Sequence, residues 1–373
     1  MSARTTRAAV LREPGTQWEI AELDLDEPRA GEVLVRFMAS GLCHSDEHVR
    51  SGDAPVRLPM VGGHEGAGVV EAVGPGVTGL APGDHVITSF VTICGRCRYC
   101  STGRQSGCVE GVRAGVGCLA DGTFRFHGGG QDFGGMCVLG TFSQYAVVSE
   151  QSCIAVGPDV PFEVAALVGC GVTTGWCSAV NAAGVRAGDT VVVFGIGGVG
   201  INAVQGARHA GARNVVAVDP VPFKLEMAKV LGATHTVSDP SQAQELVAEL
   251  TGGELAEHAI LTVGLLDAEV VRQAVEIVGR GGQVTLTAIA KAGEPTIQLP
   301  AGLLIGPQKR IQGALFGASN PLWDIPRLVG LYRSGDLKLN ELITQRYSLD
   351  QINEGYSDLM AGKNIRGVIV HEH

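Results

Sequence analysis

Val191-Val-Val-Phe-Gly195-Ile-Gly197-Gly198-Val199-Gly200 is an apolar run that stops on a glycine cluster and leads into an alanine-containing stretch. Four apolar residues in a row ahead of a glycine turn read as a strand buried on both faces, and the segment behind them as a helix. In that context Gly195, Gly197, Gly198, Val199 and Gly200 form a G-x-G-x-x-G loop, whose glycines let the backbone touch a pyrophosphate at a helix N-terminus. Val215-Val-Ala-Val218 is the next apolar strand, and Asp219 ends it, twenty-four residues after Gly195. A carboxylate there accepts bonds from an adenosine ribose and repels a 2′-phosphate, so NAD is preferred over NADP.

Outward from this loop the alternation of strand, glycine turn and helix continues to about residue 315, which predicts a parallel sheet. Ahead of it, residues 7–157 read as short β-type runs broken by glycine and proline, such as Glu32-Val-Leu-Val-Arg-Phe37, and predict a compact barrel-like domain. The tail carries a helix and a last β-type run, residues 367–370, able to rejoin the first domain. The expected division is 1–171 with 316–373, and 172–315. A chain of 373 residues is long enough for two such cores.

Composition narrows the function. A formal charge of −10 without a clustered basic face opposes nucleic acid as a partner. No signal-peptide core is found near the N-terminus and no later segment reads as a bilayer span, so no membrane role and a cytoplasmic location are expected. Ten cysteines then argue for metal ligands and reduced thiols over a disulfide framework.

Their spacing is informative. Cys94-Gly-Arg-Cys97-Arg-Tyr-Cys100, followed after seven residues by Cys108, offers four thiolates within fifteen residues. Four sulfurs so placed close a tetrahedron around Zn²⁺ and leave no position for chemistry, which makes the site structural. An iron–sulfur cluster is the alternative. Cys43, His64 and Cys170 are further candidates, each unspecific alone, since lone buried cysteines and glycine-flanked histidines are usually packing.

In combination, the order Cys43, His64-Glu65, four-cysteine lobe, Cys170 and glycine loop resembles the zinc-containing medium-chain alcohol dehydrogenases over essentially the whole chain. Gly41-Leu-Cys-His-Ser-Asp-Glu-His48 and Gly169-Cys-Gly-Val-Thr-Thr-Gly-Trp176 are most similar to the bacterial branch whose NAD stays bound and is recycled by the artificial acceptor nitrosodimethylaniline (NDMA). The resemblance implies an α/β chain with a GroES-like β-barrel catalytic domain and a Rossmann doubly wound parallel-sheet coenzyme domain. It also implies two Zn²⁺ per chain. The two-cysteine, one-histidine set is the known catalytic site of alcohol dehydrogenase, so assigning Cys43, His64 and Cys170 to it is carry-over from the family. Two thiolates and an imidazole neutralise the ion and leave its fourth position open.

The same resemblance makes Glu65 a neighbour or transient ligand of that zinc; an ordinary buried ion pair is the other reading. It gives Lys224 a ribose contact and Arg366 a pyrophosphate contact, either of which could equally be a solvated charge. His44 stands where many relatives carry arginine against the pyrophosphate, and a histidine mostly neutral at pH 7 grips less. Ser45 and His48 are implied as a proton relay ending at the surface. Phe90, Leu139 and Leu315 fall at substrate-pocket positions, or are simply core.

The implied activity is hydride transfer between a small primary alcohol or aldehyde and NAD. Two alternatives stand beside it: a formaldehyde dehydrogenase acting on a glutathione or mycothiol adduct, and a non-catalytic NAD- and zinc-binding protein. Residues 109–139, with Gly128-Gly-Gly130, resemble a loop of dimeric relatives, so a homodimer is expected.

Overall fold

The computed structural model describes residues 4–293 and 297–373. They form two compact units: Met1–Cys170 with Asn320–Gly335 and Leu339–His373, and Gly171–Ser319 with Asp336–Lys338.

In the first unit the strands Arg4–Leu11, Glu19–Leu25, Phe126–Gly128, Gln131–Gly135 and Met60–Val61 close into a barrel. A seven-stranded sheet accompanies it, centred on the long strand Glu32–Gly41. That strand pairs antiparallel with Gly66–Val73, with Tyr145–Ser149 and with the returning C-terminal strand Arg366–Val370. Pairing on both sides follows from its composition, since Val33, Val35, Phe37 and Ala39 are all buried. The end of this strand delivers Leu42 and Cys43, and the strand beside it brings Arg366 next to them.

In the second unit six strands run parallel in the order His235–Val237, Asn214–Val218, Thr190–Phe194, Ala256–Leu261, Val278–Leu286, Arg310–Gly313. This is the doubly wound order, with its reversal beside Thr190–Phe194. Residues 190–194 and 214–218 are all buried, as expected of strands covered on both faces.

One expectation needs correction. The helical stretch Phe162–Ala183 has the length and apolarity to cross a bilayer, although 89% of its apolar window is buried inside the protein. Its glycines, threonines and Trp176 spread the hydropathy, and the burial identifies a core helix.

Candidate metal and nucleotide sites

Four side chains from three separate stretches meet in the first unit. Cys43 precedes the helix His44–Ser51 in an extended conformation. His64 and Glu65 lie between the strands Met60–Val61 and Gly66–Val73. Cys170 lies in a π-helical stretch, Val168–Val172, that interrupts the helix begun at Phe162–Leu167; such bulges re-aim a side chain and recur at functional sites. One ligand atom from each of Cys43, His64, Glu65 and Cys170 lies within 4.8 Å of all the others.

The glycines around His64 are needed for close approach. Gly63 has φ +87°, and a Cβ there would stand 2.6 Å from the Phe142 backbone nitrogen. The connection between the two strands can therefore press against Thr141 and Phe142, which hold it through Thr141 N to Gly63 O at 3.0 Å and Phe142 N to Gly62 O at 2.9 Å.

The donor set suits a cation. His64 Nδ1 bonds Asp46 Oδ1 at 3.2 Å, while its Nε2 is buried without a partner. An imidazole oriented by a carboxylate on one nitrogen, with the other left bare, is the usual arrangement of a metal-bound histidine. Electrostatics agree: burial alone would push His64 down, but Asp46 and the Cys170 and Cys43 sulfurs outweigh it and hold the imidazole well above its usual pKa. The bond from Cys170 holds the Cys43 thiol well below its usual value against burial. The pocket thus attracts positive charge, as proton or as metal.

Glu65 is fully buried, and burial pushes it up to about 7 against the opposing charge of Arg366. The Arg366 guanidinium contacts Glu65 Oε2 directly and donates to the Leu42 carbonyl at 3.1 Å. The solvated-charge reading of Arg366 is therefore corrected: it is buried and packed behind the metal set. Ser45 sits 3.6 Å from the Cys43 sulfur. His48, expected at the surface, is only 6% exposed, with Nδ1 3.3 Å from Asp53 Oδ2. His44, first residue of the same helix, has its ring 6.5 Å from that of His48.

The pocket positions divide. Phe90 packs its ring edge-on to His64 at 5.8 Å. Leu139, only 1% exposed, belongs to the barrel core cluster with Phe126, Phe133 and Val138, against which Phe90 also packs. Two residues earlier, Cys137 lies near enough to His64, Asp46 and Cys43 to feel their charge, and burial pushes its thiol up to about 11. Leu315 is 60% exposed in the second unit. Sequence reasoning missed Asp46, Asp53 and Cys137; the first had a signal, three residues after Cys43 on the first turn of a short helix.

The other cysteines form a second set. Cys94, Cys97, Cys100 and Cys108 place their sulfurs within 4.8 Å of one another. The pairs Cys94–Cys100 and Cys97–Cys108 are 4.0 Å apart, close to the ~3.8 Å edge of a tetrahedron with Zn–S bonds of about 2.3 Å. That spacing fits one ion and is too tight to wrap a multi-iron cluster. Backbone N–H groups of Cys97, Cys100 and Cys94 donate to the sulfurs of Cys94, Cys97 and Cys108 at 3.4, 3.5 and 3.4 Å, and donors from Cys100 and Val109 lower Cys97 to about 6. Such donors stabilise thiolates.

In the second unit Gly195 turns with φ +86°, and a side chain at Gly200 would collide with the Gly195 carbonyl. Gly197 has open space where a Cβ would point, a cradle that any side chain would fill. Asp219 fixes the loop: Oδ2 accepts from Ile196 N at 2.7 Å and Oδ1 from Val221 N at 2.9 Å. Lys224 Nζ is 4.0 Å from Asp219. Asn202 donates to the Gly198 carbonyl at 2.8 Å, and Val199 leads directly into the helix Gly200–His209.

Comparison with known proteins now decides the family. The model of the alcohol dehydrogenase GroES-like domain matches residues 29–159, and that of the zinc-binding dehydrogenases matches 198–329. The chain is 56% identical to an NDMA-dependent alcohol dehydrogenase of Amycolatopsis methanolica, over 98% of this chain and 99% of that one. The chain belongs to the zinc-binding alcohol dehydrogenases. It is 40% identical to an S-(hydroxymethyl)glutathione dehydrogenase of Synechocystis, over 98% of this chain and 99% of that one. The crystal structure of benzyl alcohol dehydrogenase from Acinetobacter calcoaceticus superposes with a TM-score of 0.91 at 33% identity, covering 99% of this chain and 100% of that chain. As a zinc-binding alcohol dehydrogenase, this protein is an oxidoreductase with a GroES-like domain and a doubly wound coenzyme domain.

Proposed function

We propose that this enzyme moves hydride between a small primary alcohol or aldehyde and an NAD that stays bound and is recycled by a second substrate or acceptor. The observation carrying the reading is the cluster of Cys43, His64 and Cys170, with His64 Nε2 buried and unpartnered and Nδ1 held by Asp46. In this reading those three side chains hold one zinc, and Cys94, Cys97, Cys100 and Cys108 hold a second. When bound, zinc would supply Lewis acidity towards a substrate hydroxyl, and NAD would supply a hydride acceptor.

The chain's own groups do the rest. Ser45 Oγ, next to Cys43, takes the hydroxyl proton and passes it towards His48, whose Nδ1 rests on Asp53. Phe90, beside His64, walls the substrate side with apolar surface, with Leu139 in the cluster against which it packs. The backbone of residues 195–200 receives the pyrophosphate, Asp219 and Lys224 the adenosine ribose. Retention of NAD draws on the resemblance to the NDMA-dependent relative.

The cofactor reading is tested directly by heat-denaturing the purified protein and assaying the supernatant, which is expected to contain NAD or NADH near one per chain. Asp219→Asn removes the charge while keeping the shape. It is expected to weaken NAD about tenfold to a hundredfold, as loss of charge-assisted bonds does, and to shift preference towards NADP in fluorescence titrations of nucleotide-free protein. An unchanged preference would limit Asp219 to holding the loop.

A second reading is favoured by the 40% identity to the glutathione-adduct enzyme. The expected result is alcohol oxidation with an added acceptor but no thiol. Formaldehyde turnover that strictly needs glutathione or mycothiol would replace the first reading by the second. A small-molecule substrate, without nucleic acid or membrane, is proposed as the only substrate class, in the cytoplasm, where ten free thiols would persist. A homodimer is proposed from the open edge strand Arg310–Gly313, with exposed Ile305 and Leu315 in the same unit.

A further inference from the structure

Asp46 uses one oxygen and leaves the other unexplained. It lies on the first turn of the helix His44–Ser51 with no solvent exposure. Its Oδ1 accepts from the Gly63 amide at 3.0 Å and from His64 Nδ1 at 3.2 Å. Its Oδ2 is buried and closes no hydrogen bond, and the same holds for Tyr356 Oη, on a buried side chain close enough to Asp46 to be affected by its charge. Two neighbouring buried polar groups without other partners are costly apart and mutually satisfied when paired.

We propose that Tyr356 is a positioning residue for the metal centre: its hydroxyl donates to Asp46 Oδ2 and so fixes the carboxylate that orients His64. The phenol can only be the donor in this pair, because an ionised carboxylate accepts and does not give. The inference rests on the proposed zinc at Cys43, His64 and Cys170, and goes beyond it by assigning a group from the far end of the chain.

The packing leaves the tyrosine little choice of direction. The helix Ile352–Met360 is tied to the N-terminal segment by Asn353, whose amide accepts from Trp18 N at 3.0 Å and donates to Trp18 O at 2.9 Å. The Tyr356 ring stands between Trp18, 6.0 Å away and tilted by 30°, and Phe142, 6.2 Å away at 67°. Trp18 and Phe142 are also the side chains against which Gly62 and Gly63 press. One aromatic cluster therefore packs on the connection that carries His64, and its single hydroxyl belongs to a side chain beside Asp46, the group that orients the imidazole. Holding Asp46 in place keeps Nδ1 protonated and the Nε2 lone pair directed at the two sulfurs.

The test removes one oxygen atom. Tyr356→Phe, as purified holoenzyme, is expected to release the open-site zinc to a chromophoric chelator about fivefold to tenfold faster than the parent, as loss of a bond to a charged group implies. The four-thiolate zinc is expected to leave at the parental rate, an internal control. After cobalt replaces the open-site zinc, the visible absorption bands should shift in the variant, a signature that a loss of general stability would not produce. In an Asp46→Asn background Tyr356→Phe should add nothing further. Tyr347→Phe, which removes a phenol bonded to Asp358 and not to Asp46, should leave the release rate unchanged. Parental release and an unshifted cobalt spectrum in Tyr356→Phe would overturn the proposal, as would an equal effect in Tyr347→Phe. Absence of any open-site metal in the parent protein would overturn the zinc assignment itself and the inference with it.

Discussion

Cys43→Ser is expected to lower alcohol oxidation by at least about a thousandfold while the protein stays folded, since the several kcal/mol contributed by a Lewis acid correspond to three or more factors of ten. A serine hydroxyl is nearly the same size as the thiol but does not ionise near neutral pH, so the set loses one of its two anionic donors. The remaining His64 and Cys170 cannot neutralise a dication alone, and Glu65 is already engaged by Arg366. The cores of the two units do not depend on this cluster: one is built on Val33, Val35, Phe37 and Phe133, the other on Val192, Phe194, Val216 and Ile277. Elemental analysis should show one metal fewer per chain, and thermal unfolding should remain cooperative with a modest fall in midpoint, because a ligand bound only to the folded state is lost. Full activity, or global unfolding on loss of this single ion, would contradict the assignment.

The parts of this site that were legible beforehand are those encoded over a few consecutive residues. The glycine loop needs its strand, turn and helix in direct succession, and four cysteines within fifteen residues cannot avoid one another. The convergence of Cys43, His64 and Cys170 needed the family resemblance, because nothing local says that residues 106 positions apart share a pocket. Asp46 was within reach, being one turn from Cys43, but only the fold shows that the turn faces His64. The neighbourhood of Leu139 was hidden for a different reason. Cys137 and Val138 are non-glycine residues with φ of 53° and 63°, a left-handed pair that turns the chain between Cys137, near enough to His64, Asp46 and Cys43 to feel their charge, and Leu139 in the barrel core. Hydrophobic pattern carries no trace of such a turn. Tyr356 was out of reach altogether: its hydroxyl has meaning only once the last helix is seen against Trp18 and Asp46.

The contrast between the two cysteine sets has a physical basis that also sets their failure modes. Around Cys43 the proposed zinc would sit in a scaffold already made by strands and aromatic packing, so removing the ion would remove chemistry. Around Cys94 the order is reversed. The lobe consists of the short helix Arg98–Ser101 and the turns Gln105–Gly107 and Val109–Arg113, in which Cys100 and Cys108 are the buried side chains while Tyr99, Val109 and Val112 are exposed. Little apolar surface is buried there to offset the entropy of ordering the chain.

Cys97→Ser should therefore unfold the lobe and leave the rest standing. Cys97 receives backbone donors from Cys100 and Val109, which span both halves of the lobe, so its sulfur links the two through the ion. With a serine in its place the other three sulfurs lose the charge balance of the set, and the cross-link between residues 94–100 and residue 108 is gone. Limited proteolysis should cut between residues 94 and 113 at least about a hundredfold faster than in the parent, which corresponds to local opening replacing a metal-locked segment. The metal lost should be the one that chelators remove most slowly from the parent. Hydrogen exchange at the strand Glu32–Gly41 should be unchanged, because its partners lie outside the lobe. A lobe as resistant to protease as before, or a metal content that does not fall, would mean that packing holds these fifteen residues and the four sulfurs are not closed around an ion.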